Sequence, residues 1–343
     1  MEGGLRGRRR RRTAMTGTTG SISLRRRAVL SAMATAVLPG FAAAAAGGEV
    51  IRLVIPYPVG GGTDIIGRLL AATGSERLGR AVVPENRGGA DGLIGIRVVA
   101  QARPDGSVLG ISGIGTSVTL ALTQKNMPFL MGRDLEPIAH LGAFGNLIVV
   151  HTQSPYPDLP ALLAAARGRS EPFFCGTPAQ GSPSYITLRY LCTAAQVDIS
   201  SVSYQGHGQI LNDLLGGQLD MALLSVPIAR AAIEAGQLRA LAVTSAERSS
   251  VLPDVPTVRE GGIDDFDASL WNVLVTAKGA PEPVIEQLNE AANASFASAH
   301  AREVLHTAGV EFRPYTVAET RAFVAQEGER WRRITRAAGI EPA

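Results

Sequence analysis

A short apolar, β-branched run, Ile51–Ile55, is ended by Pro56 and Pro58, followed by Gly60, Gly61 and Gly62, and then by apolar residues at helical spacing over 65–71. The pattern predicts strand, loop and helix. Three glycines remove the side chains that keep a ligand from the backbone, and the first turn of a helix leaves its N–H groups without partners. Free donors and the positive end of the helix dipole point the same way, so Val59, Gly60, Gly61, Gly62, Thr63 and Asp64 form a candidate anion site suited to a carboxylate or phosphate. The loop lacks the Lys-Ser/Thr of a P-loop and is not spaced Gly-x-Gly-x-x-Gly, which argues against a nucleotide and for a small anion.

The unit recurs. Residues 81–86 read as a second strand, 87–95 as a glycine-rich turn and 96–102 as a helix; Pro104-Asp105-Gly106 is a turn, and 108–112 a third strand. This strand runs into a third loop of small residues that adds Gly115, Thr116 and Ser117 to the candidate site. Successive strand–helix units predict a parallel sheet whose carboxyl ends, and therefore whose loops, share one edge where ligands settle.

Residues 1–48 read as a leader. A basic block at Arg8–Arg12, then Arg25-Arg26-Arg27 before an apolar stretch over 28–38 and an alanine run to Ala46, has the charged, apolar and small-residue zones of a secretory signal. Arg26-Arg27 is also similar to a twin-arginine signal, and a basic general-secretion signal fits equally. The whole chain has 33 Lys+Arg and 30 Asp+Glu; the leader holds nine Arg and one Glu, which leaves 24 against 29 and a net charge of −5 in the remainder. The basicity thus belongs to the leader, and the rest has no composition for nucleic acid or a membrane surface. The five histidines and two cysteines make no metal-ligand spacing, so neither a metal nor another cofactor is expected, and Cys175 and Cys192 fit a disulfide or two buried thiols.

The middle of the chain predicts a second lobe of the same kind. Strand 147–150, helix 161–167 and strand 173–175 lead into Gly176-Thr-Pro-Ala-Gln-Gly-Ser-Pro-Ser184, a loop whose Ser182-Pro183-Ser184 has helix-capping chemistry. Thr177, Gln180, Ser182 and Ser184 are its candidate contacts. Strand 199–204, the exit loop with Gly206 and His207, helix 209–215, strand 221–224 and the helix opened by Ser225-Val-Pro227 follow, adding Gly206 and Ser225. Strand 240–244 closes this set and 273–276 returns to the first. The expected organisation is therefore lobe 1 over 49–146 plus 270–343 and lobe 2 over 147–269, with hinges near 145–148 and 267–272. Helices over 281–299 and 318–338 pack outside, with Trp331 covering an edge.

Pro56-x-x-Gly-Gly-Gly-Thr-Asp64 with Arg68, Glu85-Asn-Arg-Gly-Gly-Ala-Asp-Gly92 through Gly95, Pro104-Asp-Gly106, Asp134-Leu-Glu-Pro-Ile138, Val202-x-Tyr204-Gln-Gly206, Asp213-Leu-Leu-Gly-Gly-Gln-Leu-Asp220 and Pro253-Asp-Val-Pro-Thr-Val-Arg-Glu-Gly-Gly262 with Trp271 resemble, in order, the Bug family of periplasmic solute receptors of tripartite tricarboxylate transporters. The resemblance implies an α/β clamshell of two lobes, each a mainly parallel sheet flanked by helices, that is not an enzyme. It implies a monomeric protein that takes a small carboxylate between its lobes and delivers it to the membrane components of such a transporter. This chain departs from the family pattern at Ser184-Tyr185, where Ser-His is usual, and at Gln205-Gly206, where Lys-Gly is. A ligand sensor for a membrane kinase would use the same clamshell. An α/β enzyme of a small organic acid would need Asp64, His207 and Ser117 or Ser184 as a triad, and no Gly-x-Ser-x-Gly elbow is present.

Overall fold

A computed structural model describes residues 50–340, so the expected leader over 1–48 lies outside the described residues. In chain order the elements are β1 (Ile51–Ile55), α1 (Gly62–Leu78), β2 (Val82–Asn86), α2 (Leu93–Ala100), β3 (Val108–Gly113), α3 (Leu120–Thr123), β4 (Leu135–Phe144), β5 (Asn146–His151), α4 (Leu159–Gly168) and β6 (Phe174–Pro178). There follow α5 (Pro183–Ala195), β7 (Ser200–Tyr204), α6 (His207–Leu215), β8 (Met221–Ser225), α7 (Val226–Glu234), β9 (Leu238–Val243), β10 (Leu270–Ala277), α8 (Glu282–Phe296), α9 (Ala299–Thr307) and α10 (Val317–Ala337).

The strands form two five-stranded sheets, ordered β2-β1-β3-β10-β4 and β7-β6-β8-β5-β9. In the first, β1 is parallel to both β2 and β3, while β10 is antiparallel to β3 and β4. In the second, β6 is parallel to β7 and β8, while β5 is antiparallel to β8 and β9. Each sheet is thus half parallel rather than mainly so. The parallel half comes from strand–helix–strand units, and the antiparallel half from β10 and β5, which arrive from the other lobe.

The crossings lie close together. Gly145 alone separates β4 of one sheet from β5 of the other, and a Cβ there would stand 2.5 Å from Val243 Cγ2 and 2.7 Å from Ser245 Oγ, so only glycine fits. The returning segment is laced to it: Asn146 N–H donates to Thr244 Oγ1 and Thr244 N–H to Asn146 O, both at 2.9 Å, and Ala268 N–H donates to Thr244 O at 2.9 Å.

Apolar burial fixes the outer layer. α8 covers the first sheet on the face shared with α1, and α10 packs on β4 and on α5 of the second lobe. Trp331, expected at an edge, is fully buried in the same continuous core as residues of both lobes, because α10 packs on β4 and on α5. Trp271 is likewise buried, its indole N–H donating to Glu327 Oε2 at 2.9 Å. Cys175 and Cys192 are both buried free thiols, and burial raises both pKa values.

Candidate functional site

The loop between β1 and α1 is held from below. Asp64 is 2 % exposed, and its carboxylate accepts from Gly60 N–H (2.9 Å), Arg68 Nε (2.9 Å) and Asn86 Nδ2 (2.8 Å). Burial alone would raise its pKa; the hydrogen bonds from Arg68, Asn86 and Gly60 outweigh this and hold it below the usual carboxylate range. Asp64 therefore organises the loop from inside, and the Gly60 N–H, expected to be free, is spent on it. The N–H groups of Gly62, Thr63 and Asp64 remain: Gly61 caps α1 without a side chain, and the first backbone bond of the helix is Ile65 N–H to Gly61 O. A Cβ placed on Gly60, Gly61 or Gly62 would meet nothing within 4 Å, so open space lies over the glycines beside these donors. Gly60 also needs to be glycine for its φ of +95°. Val59, at the tip, is 69 % exposed.

The other loops of the first lobe pack directly beside it. A Cβ on Gly92 would lie 2.8 Å from Thr116 Cγ2 and 3.2 Å from Pro56 Cβ, so the ends of β1, β2 and β3 converge. The expected loop around Gly115 is instead a π-helical turn, Gly115–Thr119, continuous with α3. That winding carries the hydroxyls of Thr116 and Ser117 inward, where both bond to Ser112 Oγ at 2.8 and 2.7 Å. These two are buried supports of the turn rather than open contacts.

The second lobe meets this edge. Pro183, the first residue of α5, lies 3.5 Å from the Cβ position of Gly115, and Thr123 Oγ1 lies 2.8 Å from that of Gly181. Ser182 caps α5 by accepting from Tyr185 N–H at 3.2 Å, as its sequence predicts. Ser184 Oγ accepts from Asn146 Nδ2 at 2.9 Å, Thr177 Oγ1 is shared with Ser201 Oγ at 2.7 Å, and Gln180 is exposed. Tyr185 packs against the core beneath the loop. Gly206 and Ser225 stand at the N-termini of α6 and α7, neither of which has a side-chain cap. His207 is partly buried, and its Nε2 is covered and unpartnered; burial pushes its pKa down to about 4.

Sequence reasoning missed two amides at the crossing. Asn146 pairs in register with Ser225, and Asn272 with Gly113, which places one at the cleft end of each sheet. They are 1 % and 2 % exposed, and Asn146 Oδ1 and Asn272 Nδ2 have no partner among the described residues. Thr63 Oγ1 lies 3.5 Å from Asn272 Oδ1. The readable signal was an asparagine within the first three residues of otherwise apolar strands, 146–150 and 270–275. Among the described residues no group of three His, Cys, Asp or Glu side chains is arranged to hold a metal.

Comparison with known proteins places this geometry. The profile of the tripartite tricarboxylate transporter family receptor matches residues 66–340. Protein BugT of Bordetella pertussis is 31 % identical over 292 residues, covering 85 % of this chain and 90 % of BugT. An R. palustris protein solved with adipate superposes with a TM-score of 0.80 at 30 % identity, over 86 % of this chain and 98 % of the other. MatC of Rhodopseudomonas palustris, solved with bound malate, gives 0.74 at 28 % identity, over 83 % and 98 %.

Proposed function

The chain belongs to the tripartite tricarboxylate transporter receptor family, a family of solute receptors rather than enzymes, and on that premise we propose that it captures a small carboxylate at the edge where its two lobes meet. The observation that carries the reading is the uncapped start of α1: N–H groups at the positive end of a 17-residue helix, with open space over three glycines. Gly62, Thr63 and the loop residue Gly61 grip one carboxylate; the uncapped starts of α6 and α7, at Gly206 and Ser225, offer matching donors from the other lobe. Asn146 and Asn272, whose unpartnered amide atoms are covered in this structure, add contacts as the lobes part. Adipate and malate on related structures support the carboxylate as a class.

The lobes, 49–146 with 270–343 and 147–269, turn about Gly145 and the 267–272 segment. Export through the leader, by the twin-arginine or general route, brings the protein to the periplasm, where related proteins work, and the closed form hands its ligand to the membrane components of a tripartite transporter. The test is thermal: the protein lacking residues 1–48 is melted against C4 to C6 dicarboxylates. A ligand at a hundred times its Kd stabilises the native state by about 2.7 kcal/mol, so its melting temperature climbs with concentration. Indifference to every carboxylate, or turnover of one, overturns the reading.

A further inference from the structure

The wall of lobe 1 contains three acids, and their partners differ. Asp64 is fully engaged by Gly60, Arg68 and Asn86. Glu85 accepts from Arg52 at 2.8 Å and from Arg87 at 2.5 Å. Asp91 has neither an ion pair nor a side-chain hydrogen bond among the described residues, although it is partly buried. Burial raises its pKa, with no counter-charge to offset it.

Its setting puts it at the seam between the lobes. Asp91 sits in a run of four residues at positive φ, Gly89 (119°), Ala90 (46°), Asp91 (53°) and Gly92 (90°), of which two are not glycine. Such a conformation costs a side-chain-bearing residue about 1 kcal/mol or more and is kept where the surroundings impose it. Tyr57 Oη lies 3.5 Å from Asp91 O, and the Asp91 charge raises the Tyr57 pKa further beyond the effect of burial. The same Tyr57 hydroxyl is 3.2 Å from the Cβ position of Gly115, where Pro183 of the second lobe also arrives at 3.5 Å. A carboxylate in need of a cation thus stands on the same wall as helix donors in need of an anion.

We propose that Asp91, with Tyr57 beside it, is a specificity-determining residue that takes an ammonium group, so that the ligand is an amino-carboxylate rather than a plain dicarboxylate. The proposal rests on the carboxylate-receptor reading and narrows its ligand class. An unpaired carboxylate on this wall repels a second ligand carboxylate and attracts an ammonium, so one residue both selects and excludes. The ammonium neutralises Asp91, and the loop donors, at the positive end of α1, hold the ligand carboxylate.

The experiment uses matched probes that differ only by the amino group: succinate with aspartate, glutarate with glutamate, and adipate with 2-aminoadipate, titrated calorimetrically into the native protein and into Asp91→Asn. Asparagine tolerates positive φ, so the variant keeps the backbone of the turn. The expected result is at least one pair in which the amino member binds about tenfold or more tightly, and a variant in which that preference disappears while the plain diacid binds as well or better. Plain diacids favoured by the native protein, or a preference that survives in Asp91→Asn, overturn the assignment and leave the receptor reading standing. Binding of no probe and no other carboxylate overturns both. Tyr57→Phe separates the hydroxyl from the charge: it weakens the amino member less than Asp91→Asn does, and an equal or larger loss would transfer the role to Tyr57.

Discussion

Apart from α3, which continues the π-helical turn before it, the helix starts among the described residues fall into two groups. At the carboxyl ends of the parallel strands, α1, α2, α6 and α7 begin on Gly61, Gly92, Gly206 and Ser225 with no side-chain cap. Away from that edge α4, α9 and α10 begin on Asp158, Ser298 and Thr316, each accepting from a backbone N–H, the last in a full capping box with Glu319. Two exceptions have reasons of their own. α5 lies at the cleft edge yet is capped by Ser182, because its first residue, Pro183, is pressed against the other lobe at Gly115. α8 lies outside and is uncapped, but Pro283 in its first turn has no N–H to satisfy. Donors are satisfied locally wherever nothing else will come to them and left open at the edge proposed for the ligand. A site for an anion can therefore be built by withholding caps, without adding a positive side chain.

The contrast breaks first at Gly61. Gly61→Val places a branched side chain in the open space over α1, at φ −80°, which valine adopts without strain. Affinity for the carboxylate is expected to fall about a hundredfold or more, with the melting temperature of the free protein within a degree or two of the native one. Titration calorimetry and a melt decide it: retained affinity moves the site away from α1, and a collapsed melt would mean that the glycine is structural. Asp64→Ala strikes the same loop from beneath. Removing a buried carboxylate that three donors share costs about 3 kcal/mol of stability and weakens binding as well, because the loop loses what holds it. A denaturant titration showing under 1 kcal/mol would mean that the loop keeps its shape without Asp64.

These two effects also divide what sequence could show. The glycine loop was legible because glycine and proline act locally, and all the strands but β4 were legible because apolar runs of the right length are bounded by turns. β4 was missed: its Glu136 and Pro137 do not read as strand, and Glu136 is buried only because Lys278 and Arg321, 142 and 185 residues away, neutralise it. The inward role of Asp64 depends on Asn86, 22 residues on, and so is invisible in the motif that contains Asp64. Thr116 and Ser117 looked like open hydroxyls because a loop was expected; a π-helical turn rotates them onto Ser112. Trp331 looked peripheral because α10 is charged, and is core because α10 packs on both β4 and α5 of the other lobe. What fails is knowledge of a partner distant in sequence or of the exact winding, and at β4 the local propensity of Glu136 and Pro137, which tertiary pairing overrides.

The outer helices supply the opposite control. Thr316→Ala removes the cap of α10, losing the bond that Glu319 N–H donates to Thr316 Oγ1 at 3.2 Å and the one that Thr316 Oγ1 donates to Glu319 Oε2 at 2.8 Å while the backbone N–H of residue 316 keeps its own, and is expected to cost about 1 kcal/mol of stability. Carboxylate affinity, corrected for any unfolded fraction, stays as in the native protein. A change in affinity from so remote a cap would show that α10, which touches both lobes, takes part in closure, and would blur the division between the two groups of helix starts.

The smallest effect is the most discriminating, because it adds a cap where the protein has none. Gly206 has an extended backbone, φ −177° and ψ 162°, and a Cβ there meets nothing within 4 Å, so Gly206→Ser introduces a hydroxyl in position to accept from the first turn of α6. Relative to glycine such a cap is worth only a few tenths of a kcal/mol, visible as a slight rise in melting temperature. If the N–H groups of α6 serve the ligand, the new hydroxyl competes for them, and affinity falls while stability rises. Opposite signs for the two measurements would mark α6 as part of the site; a rise in stability with unchanged affinity would place its N-terminus among the merely unsatisfied, and would leave the grip to α1 and α7.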